Sequence, residues 1–257
     1  MDINKQFITV SNYNRPGVKR KNTTAIACHY IGNPGTSAKN NRDYFESLGT
    51  VGPRKESRGE KATKASCHYL IGLEGEIIQL IPEDEVSWCT NSANSYTISI
   101  EACHPRADGV FNIKTYNAYV ELCADLCTRW GLDPLHGGLI RHYDVTRKVC
   151  PKWFVDAPRE WQKFKEAVSE KMKPTYDLEW NHDTNGWWYA DTKTTYYKSC
   201  WQLINHHWYY FNSDGYAVTD WQVIDGKDYY FEPRAGHPLE CALYVTDSSG
   251  AQSPGEF

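Results

Sequence analysis

The sequence predicts an α/β module followed by a smaller all-β tail, and three observations support this division. Strand-like and helix-like segments alternate over the first two thirds of the chain, whereas short aromatic segments recur in the last third. Residues 1–173 carry 24 Lys and Arg against 20 Asp and Glu, and residues 174–257 carry 4 against 12, so the charge balance changes from +4 to −8. The second segment also holds 19 of the 36 aromatic residues. We therefore expect two domains, 1–173 and 174–257.

The first module combines β-branched apolar runs with helical patterns. Apolar residues at 116, 119, 120, 123, 126, 127 and 130 have the spacing of one buried helix face, and Gly131 follows them as a stop. Ser37 is a candidate N-cap for an earlier helix, and Pro158 opens a later one. In chain order we expect a strand over 23–31, a helix over 37–48, a loop over 51–64, a hairpin over 66–81, a strand over 96–102, a helix over 114–130, a strand over 138–142 and a helix from 158.

Aromatic residues in the tail repeat with a fixed period. Residues 201–211 recur as residues 221–231, a spacing of 20, and a rougher copy begins at Gly186. Asn205-His206 and Asp225-Gly226 stand at turn positions, and Asp-Gly is a strong hairpin signal. Aliphatic residues are too few here for an ordinary core. The tail is therefore predicted to be a stack of hairpins with an aromatic core.

The composition excludes several classes of protein. No apolar run approaches the ~20 residues of a membrane-spanning helix, and the N-terminal segment lacks the basic start and apolar core of a secretory signal. The nine cysteines are odd in number and scattered, so we expect buried thiols in a reducing cytosol rather than a disulfide framework. We predict synthesis in the cytoplasm and no nucleic-acid partner.

Three residues near predicted strand ends form a candidate metal site. His29 ends one predicted strand, His142 ends another, and Cys150 follows across a polar loop. Imidazole and thiolate suit zinc, and a catalytic zinc site keeps three protein ligands and one open position. Because the chain has nine His and nine Cys, spacing alone also allows a core histidine beside a buried cysteine.

Four segments carry a family resemblance. In chain order they are 27–30 (ACHY), 66–71 (SCHYLI), 98–101 (ISIE) and 141–151 (RHYDVTRKVCP). Together they resemble the type-2 N-acetylmuramoyl-L-alanine amidases, which include phage endolysins and are related to peptidoglycan recognition proteins. The resemblance covers about residues 20–172. It implies a mixed central sheet flanked by helices, with one zinc ion in a surface groove.

The resemblance also implies roles for five residues. The family's zinc ligands fall on His29, His142 and Cys150, its catalytic carboxylate on Glu101 and its catalytic lysine on Lys148. In the implied chemistry, zinc polarises water and the scissile carbonyl, Glu101 carries the proton of the water to the leaving amine, and Lys148 stabilises the oxyanion. The alternative for Glu101 is a strand-end carboxylate in a surface ion pair. The alternative for Lys148 is a solvated loop charge.

Three further residues are expected in the substrate groove. Tyr30 is expected to touch substrate. Trp88 is expected to line the groove, with a core position as the alternative. His68 is expected to line the groove, with a hydrogen-bonded structural histidine as the alternative.

The sequence departs from the family near the expected groove. Many relatives have tyrosine before the histidine of the second segment, where this chain has Cys67, and many have histidine where this chain has Cys89. The loss of the tyrosine shifts the expected proton transfer to Glu101.

The hairpin repeats resemble the choline-binding repeats of pneumococcal-type autolysins and phage lysins. In that family, aromatic rings of successive hairpins enclose the choline ammonium of teichoic acids, and aromatic faces attract such a cation. The same rings must also pack the stack, so each has a structural alternative. Because two or three units are few for a stable stack, a homodimer through the tail or docking on the first module would complete it. The candidate cage residues are Trp187, Trp201, Trp208, Tyr210, Trp221 and Tyr230.

These observations predict a bacteriolytic hydrolase, with one zinc ion per chain, that cleaves the amide between N-acetylmuramic acid and L-alanine in peptidoglycan. The tail is expected to bind teichoic-acid choline or another wall polymer, as in a bacteriophage endolysin or an autolysin exported without a signal peptide. One alternative is a non-catalytic peptidoglycan-binding receptor on the same fold, which the presence of Cys150 disfavours. Another is a wall-anchored adhesin with an idle amidase fold.

Overall fold

The structure, a computed structural model, describes residues 1–246 and 252–255. The chain divides into two units, Met1–Met172 and Lys173–Phe257, and the predicted division lies one residue later. None of the helices in the described ranges is long and apolar enough to cross a membrane.

A mixed six-stranded sheet forms the centre of the first unit. In chain order the elements are β1 (Ile3–Lys5), β2 (Ala25–Tyr30), α1 (Ala38–Glu56), β3 (Tyr69–Ile71), β4 (Ile77–Gln79), a 3₁₀ turn (Asn91–Ser95), β5 (Thr97–Ala102), α2 (Ile113–Trp130), β6 (Leu139–Arg141), α3 (His142–Thr146), α4 (Lys152–Asp156) and α5 (Pro158–Lys171). The strand order is β1-β4-β3-β5-β2-β6, and only the β3–β4 pair is antiparallel. This architecture confirms the predicted fold class.

The two faces of the sheet carry separate cores because side chains alternate along each strand. Ile26, Ile98 and Ile100 pack on one face with residues of α2 and α5. Leu70 packs on the other face with Phe45 of α1. The sheet is therefore the middle of three layers, as expected for this fold class.

Helix α1 is longer than the sequence predicts. Ser37 caps its first turn, as expected, but the helix continues to Glu56 through residues that were assigned to a loop. The ring of Tyr13 lies so close to Gly52 that a Cβ there would be 2.3 Å from it, and the Tyr13 hydroxyl donates to Glu56 at 2.6 Å. This long-range contact stabilises the last turns despite Pro53, and a local pattern could not reveal it.

The second unit consists of short antiparallel hairpins, which confirms the predicted all-β tail. Its strands are β7 (Glu179–Asp183), β8 (Gly186–Ala190), β9 (Cys200–Ile204), β10 (His207–Phe211), β11 (Asp220–Ile224), β12 (Lys227–Phe231), β13 (Tyr244–Thr246) and β14 (Gln252–Pro254). They pair β7–β8, β9–β10, β11–β12 and β13–β14. The predicted turns at Asn205-His206 and Asp225-Gly226 have positive φ at both residues, as a type I′ hairpin requires.

Each hairpin of the tail packs on the next through aromatic rings. Trp180 of β7 lies 4.8 Å from the ring of Tyr209 in β10, and Trp201 of β9 lies 4.9 Å from the ring of Tyr229 in β12. The corresponding Trp221 of β11 is 67% exposed. The stack is thus held by nearest-neighbour aromatic contacts.

Candidate metal centre and substrate groove

The candidate metal centre lies at the carboxyl ends of three neighbouring strands. Strand β2 pairs in parallel with both β5 and β6, so the same ends of all three meet at one edge. His29 on β2 is the register partner of Glu101 on β5, and His142 follows β6 directly. Cys150 is held near by its own carbonyl, which accepts a bond from the Tyr143 amide at 3.1 Å. One potential ligand atom each from His29, His142 and Cys150 lies within 4.8 Å of the other two.

Neighbouring side chains fix the orientation of both histidine rings. Nε2 of His29 lies 2.9 Å from the Thr90 hydroxyl, and Nε2 of His142 lies 2.9 Å from Oδ1 of Asn91. An amide oxygen only accepts, so the proton of His142 is assigned to Nε2 and its Nδ1 keeps a lone pair. This Nδ1 is buried and has no hydrogen-bond partner among the described residues. Nδ1 of His29 lies 3.5 Å from Sγ of Cys150.

The three side chains fit a soft or borderline divalent cation. Burial, reinforced by the positive charge of Lys148, lowers the pKa of His142 to about 4. Burial and the neighbouring His142 also lower the pKa of His29, so both rings are neutral, as ligation requires. Burial raises the pKa of the Cys150 thiol, and a cation would supply the charge that a buried thiolate needs. The unpartnered Nδ1 of His142 is the atom that such a cation would satisfy.

Glu101 and Lys148 lie beside the cluster, where two surface cavities meet. Oε2 of Glu101 is buried without a hydrogen-bond partner among the described residues, and its Oε1 lies 3.6 Å from Sγ of Cys89. Burial raises the pKa of Glu101 to about 8, while the charge of Lys148 and the Cys89 thiol act in the opposite direction. A carboxyl with such a pKa exchanges protons near neutral pH. The exposed Lys148 lines both cavities together with Glu101.

The two cavities form a groove across the centre. The first cavity, of about 320 Å³, and the second, of about 440 Å³, share Phe45, Glu101 and Lys148. The first is also lined by Lys64, Ala65, Ser66, Trp88, Cys89, Asn91, Asn94 and His142. The second is also lined by Tyr30, Ile31, Gly32, Asn33, Thr36, Asn40, Asn41 and Tyr44.

The structure places two of the three predicted groove residues at this groove and the third elsewhere. Half-buried Trp88 lines the first cavity, with Nε1 donating to Asn12 O at 3.0 Å, and Tyr30 lines the second. The prediction that His68 lines the groove is wrong. His68 is fully buried, its Nδ1 accepts from the Ser99 amide at 2.9 Å, and its Nε2 lies 2.9 Å from Glu85 O. It is the structural histidine that was the alternative.

Sequence reasoning missed the residues that orient the histidines. Thr90 and Asn91 belong to a polar segment ahead of β5, and Oδ1 of Asn94 accepts from the amides of Cys89 and Thr90 at 3.1 and 2.6 Å. The run Thr-Asn-Ser-Ala-Asn-Ser over 90–95 was the available signal, because such residues favour turns with side-chain-to-backbone bonds.

The predicted cage residues of the tail fall into three groups. Trp201 contacts Trp208 and Tyr210, with ring centroids 6.4 and 5.3 Å apart. Trp221 contacts Tyr230 at 5.1 Å, and Trp187 lies in the first hairpin against Trp180. A further cavity of about 170 Å³ was not predicted, and it is lined by Tyr176, Asp183, Trp188, Tyr196, Asp214 and Tyr216.

Comparison with known families agrees with this geometry. A family model described as N-acetylmuramoyl-L-alanine amidase matches residues 19–153, and one described as a choline-binding repeat matches residues 198–238. The first unit thus has the type-2 amidase fold, with its cluster at the carboxyl edge of the sheet. The chain belongs to the N-acetylmuramoyl-L-alanine amidase family.

Individual relatives support the same assignment. N-acetylmuramoyl-L-alanine amidase CwlL of Bacillus licheniformis is 35% identical over 180 residues, 65% of this chain and 47% of the relative. The amidase BlyA of Bacillus subtilis (strain 168) is 30% identical over 186 residues, 65% of this chain and 46% of the relative. The chain thus spans about half the length of these curated relatives. The solved catalytic domain of XlyA superposes with a TM-score of 0.52 at 26% identity, covering 65% of this chain and 99% of that domain.

Proposed function

We propose that the first unit is a zinc-dependent amidase that cleaves the bond between N-acetylmuramic acid and L-alanine in peptidoglycan. The observation that carries this proposal is the buried, unpartnered Nδ1 of His142 beside His29 and Cys150, in a chain of the amidase family. These three residues would hold one zinc ion. Two imidazoles and one thiolate leave the open position that a catalytic zinc needs.

The residues around the cluster have the properties that amide hydrolysis requires. Zinc bound there would act as a Lewis acid on the scissile carbonyl and lower the pKa of water. Oε2 of Glu101, which has no hydrogen-bond partner among the described residues, takes the proton from the attacking water and returns it to the leaving nitrogen. Lys148 Nζ, at the junction of the cavities, stabilises negative charge on the carbonyl oxygen.

We also propose that the second unit binds a choline-bearing teichoic acid or a related wall polymer. The match to a choline-binding repeat over 198–238 and the ring cluster of Trp201, Trp208 and Tyr210 support this. The acidic balance of the tail favours a cationic ligand. Dimerisation through the tail remains part of the proposal, and the protein would act on the wall as a lytic enzyme of the endolysin or autolysin type.

Digestion of purified peptidoglycan tests the amidase proposal. The zinc-loaded protein is expected to release new L-alanine amino termini, and a chelator is expected to abolish this release until zinc is restored. Cys150→Ser is expected to bind less than one tenth of the zinc and to lose the activity. New reducing sugar ends in place of amino termini would show a glycosidase instead. Wall binding without either product would support the receptor alternative.

A further inference from the structure

The two cavities beside Glu101 differ in charge, and we propose that each receives a different half of the substrate. The first cavity, which contains Lys64, takes the anionic peptide. The second cavity, lined by asparagine and tyrosine, takes the neutral sugar. This assignment rests on the proposed amidase function, and it makes Lys64 a specificity-determining residue.

The position of Glu101 and Lys148 fixes the division between the halves. Both residues line both cavities, whereas Lys64 lines only the first and Asn33 only the second. A bond cleaved beside the shared residues therefore has one side in each cavity. The groups on the two sides of that bond are a peptide and a lactyl-substituted sugar, which differ in charge and in hydrogen-bonding groups.

The first cavity offers unpaired positive charge. In the described ranges, no carboxylate lies within ion-pair distance of Lys64 Nζ or Lys148 Nζ. Lys64 Nζ lies 5.8 Å from the ring centre of Tyr13, which favours its position at the rim. The segment 54–63 ahead of it carries four basic and two acidic residues, so the local field is positive.

Of the two halves of the substrate, the peptide carries the negative charge that complements the lysines of the first cavity. Its terminal nitrogen is part of the scissile amide and carries no charge before cleavage. The charged end of the peptide is thus its carboxylate, and acidic side chains add to the negative charge. An ammonium group at the rim gains a charge-assisted hydrogen bond from such a carboxylate.

The second cavity matches a neutral polyhydroxylated ring. Apart from the shared Glu101 and Lys148, its lining is uncharged and contains the amides of Asn33, Asn40 and Asn41. Amides donate to and accept from hydroxyl and acetamido groups. Tyr30, which is stacked on His104 at 5.0 Å, and the half-exposed Tyr44 add aromatic faces on which an apolar face of a sugar can pack.

Steady-state kinetics on soluble N-acetylmuramoyl peptides test the assignment. The same peptide is used with free carboxylates and with its carboxylates amidated. Lys64→Gln is expected to raise KM about tenfold for the free-carboxylate peptide and less than twofold for the amidated one, with kcat within about twofold. Lys64→Arg is expected to restore KM. Lys61→Gln, an exposed lysine of the same segment outside both cavities, is the matched control and should resemble the parent.

The Asn33→Ala variant tests whether the second cavity binds the sugar. Asn33→Ala is expected to raise KM equally for the two muramoyl peptides and to leave unchanged the KM of an N-lactoyl peptide, which has the scissile bond but no sugar. If Lys64→Gln affects the free and amidated peptides equally, or affects neither, the assignment is overturned. If Asn33→Ala instead alters the discrimination between carboxylate and amide, the two halves are reversed.

A binding measurement tests the two cavities independently of whether the protein is an amidase. Calorimetry on the Glu101→Gln variant gives the dissociation constants of the free-carboxylate and the amidated peptide. These constants report on binding in the cavities without cleavage of the peptides. Loss of carboxylate preference in Glu101→Gln/Lys64→Gln supports the inference even if the parent cleaves nothing. Unchanged preference in that double variant contradicts it even if the parent is an active amidase.

Discussion

Asn91 illustrates at the residue scale how the proposed metal centre would depend on residues outside the proposed ligand set. Its Oδ1 lies 2.9 Å from Nε2 of His142, and the other ring nitrogen, Nδ1, is buried without a hydrogen-bond partner among the described residues. Removal of such an outer partner typically reduces metal affinity ~10- to 100-fold. Because φ of Asn91 is +54°, glycine fits the backbone there and removes only the amide.

Asn91→Gly is therefore expected to weaken zinc binding at least ~10-fold while the fold is retained. Competition with a chromophoric chelator measures the affinity, and circular dichroism checks the fold. Ser92→Ala, at the exposed neighbouring position, is the control and should bind zinc as the parent does. An Asn91→Gly protein with parental zinc affinity would show that Asn91 does not orient the ring.

At this scale the sequence indicated the proposed metal ligands better than it indicated the residues around them. His29, His142 and Cys150 could be selected because the family motif places them, and the structure brings them together. Thr90 and Asn91 could not be selected because they act through hydrogen bonds to residues 61 and 51 positions away. The prediction for His68 failed because this residue directly precedes β3, a strand of the sheet that is buried on both faces, and His68 is buried with it.

A half-buried carboxylate, that of Glu83, joins separate elements of the first unit. Glu83, just beyond β4, accepts from Nη1 and Nη2 of Arg129 at 2.8 and 2.9 Å, from Trp130 Nε1 at 2.8 Å and from the Tyr69 hydroxyl. Desolvation raises its pKa, but these donors outweigh it and lower the pKa to about 2. The carboxylate therefore links the end of α2 to β3 and stabilises the folded state while it is ionised.

Glu83→Gln is expected to lower the free energy of unfolding by about 2 kcal/mol at pH 7. The folded-state pKa lies below the ordinary 4.5, so this stabilisation is fully present above pH 4.5 and is lost as pH falls towards 2. Urea unfolding should show a difference between variant and parent at pH 7 and a difference several-fold smaller near pH 2.5, where only part of this stabilisation remains. Glu74→Gln is the control, because Glu74 is 75% exposed in its pair with Lys114 and should cost less than about 0.5 kcal/mol.

The tail hairpins offer a matched pair of turn substitutions. His206 and Gly226 occupy equivalent turn positions with φ of 68° and 75°, a region that costs a residue with a side chain about 1 kcal/mol. His206→Gly is expected to stabilise the second unit and Gly226→Ala to destabilise it, each by about 1 kcal/mol. Thermal unfolding followed by near-ultraviolet circular dichroism of the aromatic stack measures both. Shifts of the same sign would contradict the turn geometry.

Helices and turns could be predicted from the sequence where the pattern that identifies them lies within a few neighbouring residues. The face of α2, its stop at Gly131 with φ of 62°, and the two hairpin turns follow from spacing and turn chemistry, and the structure confirms them. The end of α1 was not predictable because Tyr13, far away in sequence, packs against it. The short α3 and α4 were missed because five residues carry too little periodicity to identify a helix.

At the scale of the whole molecule, the proposed function places a catalytic unit and a wall-binding unit on one chain, and this arrangement would raise the local concentration of enzyme at the wall. If the tail binds choline, free choline is expected to release the protein from intact walls and to slow their digestion. The rate on a soluble muramoyl peptide should not change. A neutral isostere, 3,3-dimethylbutanol, should have neither effect because it lacks the charge that aromatic faces attract. Equal inhibition of soluble and wall-bound substrate would show that choline acts at the catalytic groove.

The overall architecture was predictable because it rests on features that extend over many residues. The change in composition near Lys173 and the 20-residue period lie on the scale of domains, and the fold class follows from the alternation of elements. The shape of the groove was not predictable, since Phe45, Lys64 and Trp88 come from three separate segments that only the folded chain brings together.

The polar turn ahead of β5 has a consequence for how long the proposed metal centre would retain an ion. Adjacent residues of this turn, Thr90 and Asn91, hold the two histidine rings, and Asn94 in turn holds the backbone of Thr90. One local opening of a few residues would release both rings together. The residence time of a bound ion would then follow the opening frequency of this turn rather than that of the six-stranded sheet, because short polar segments open far more often than a core unfolds.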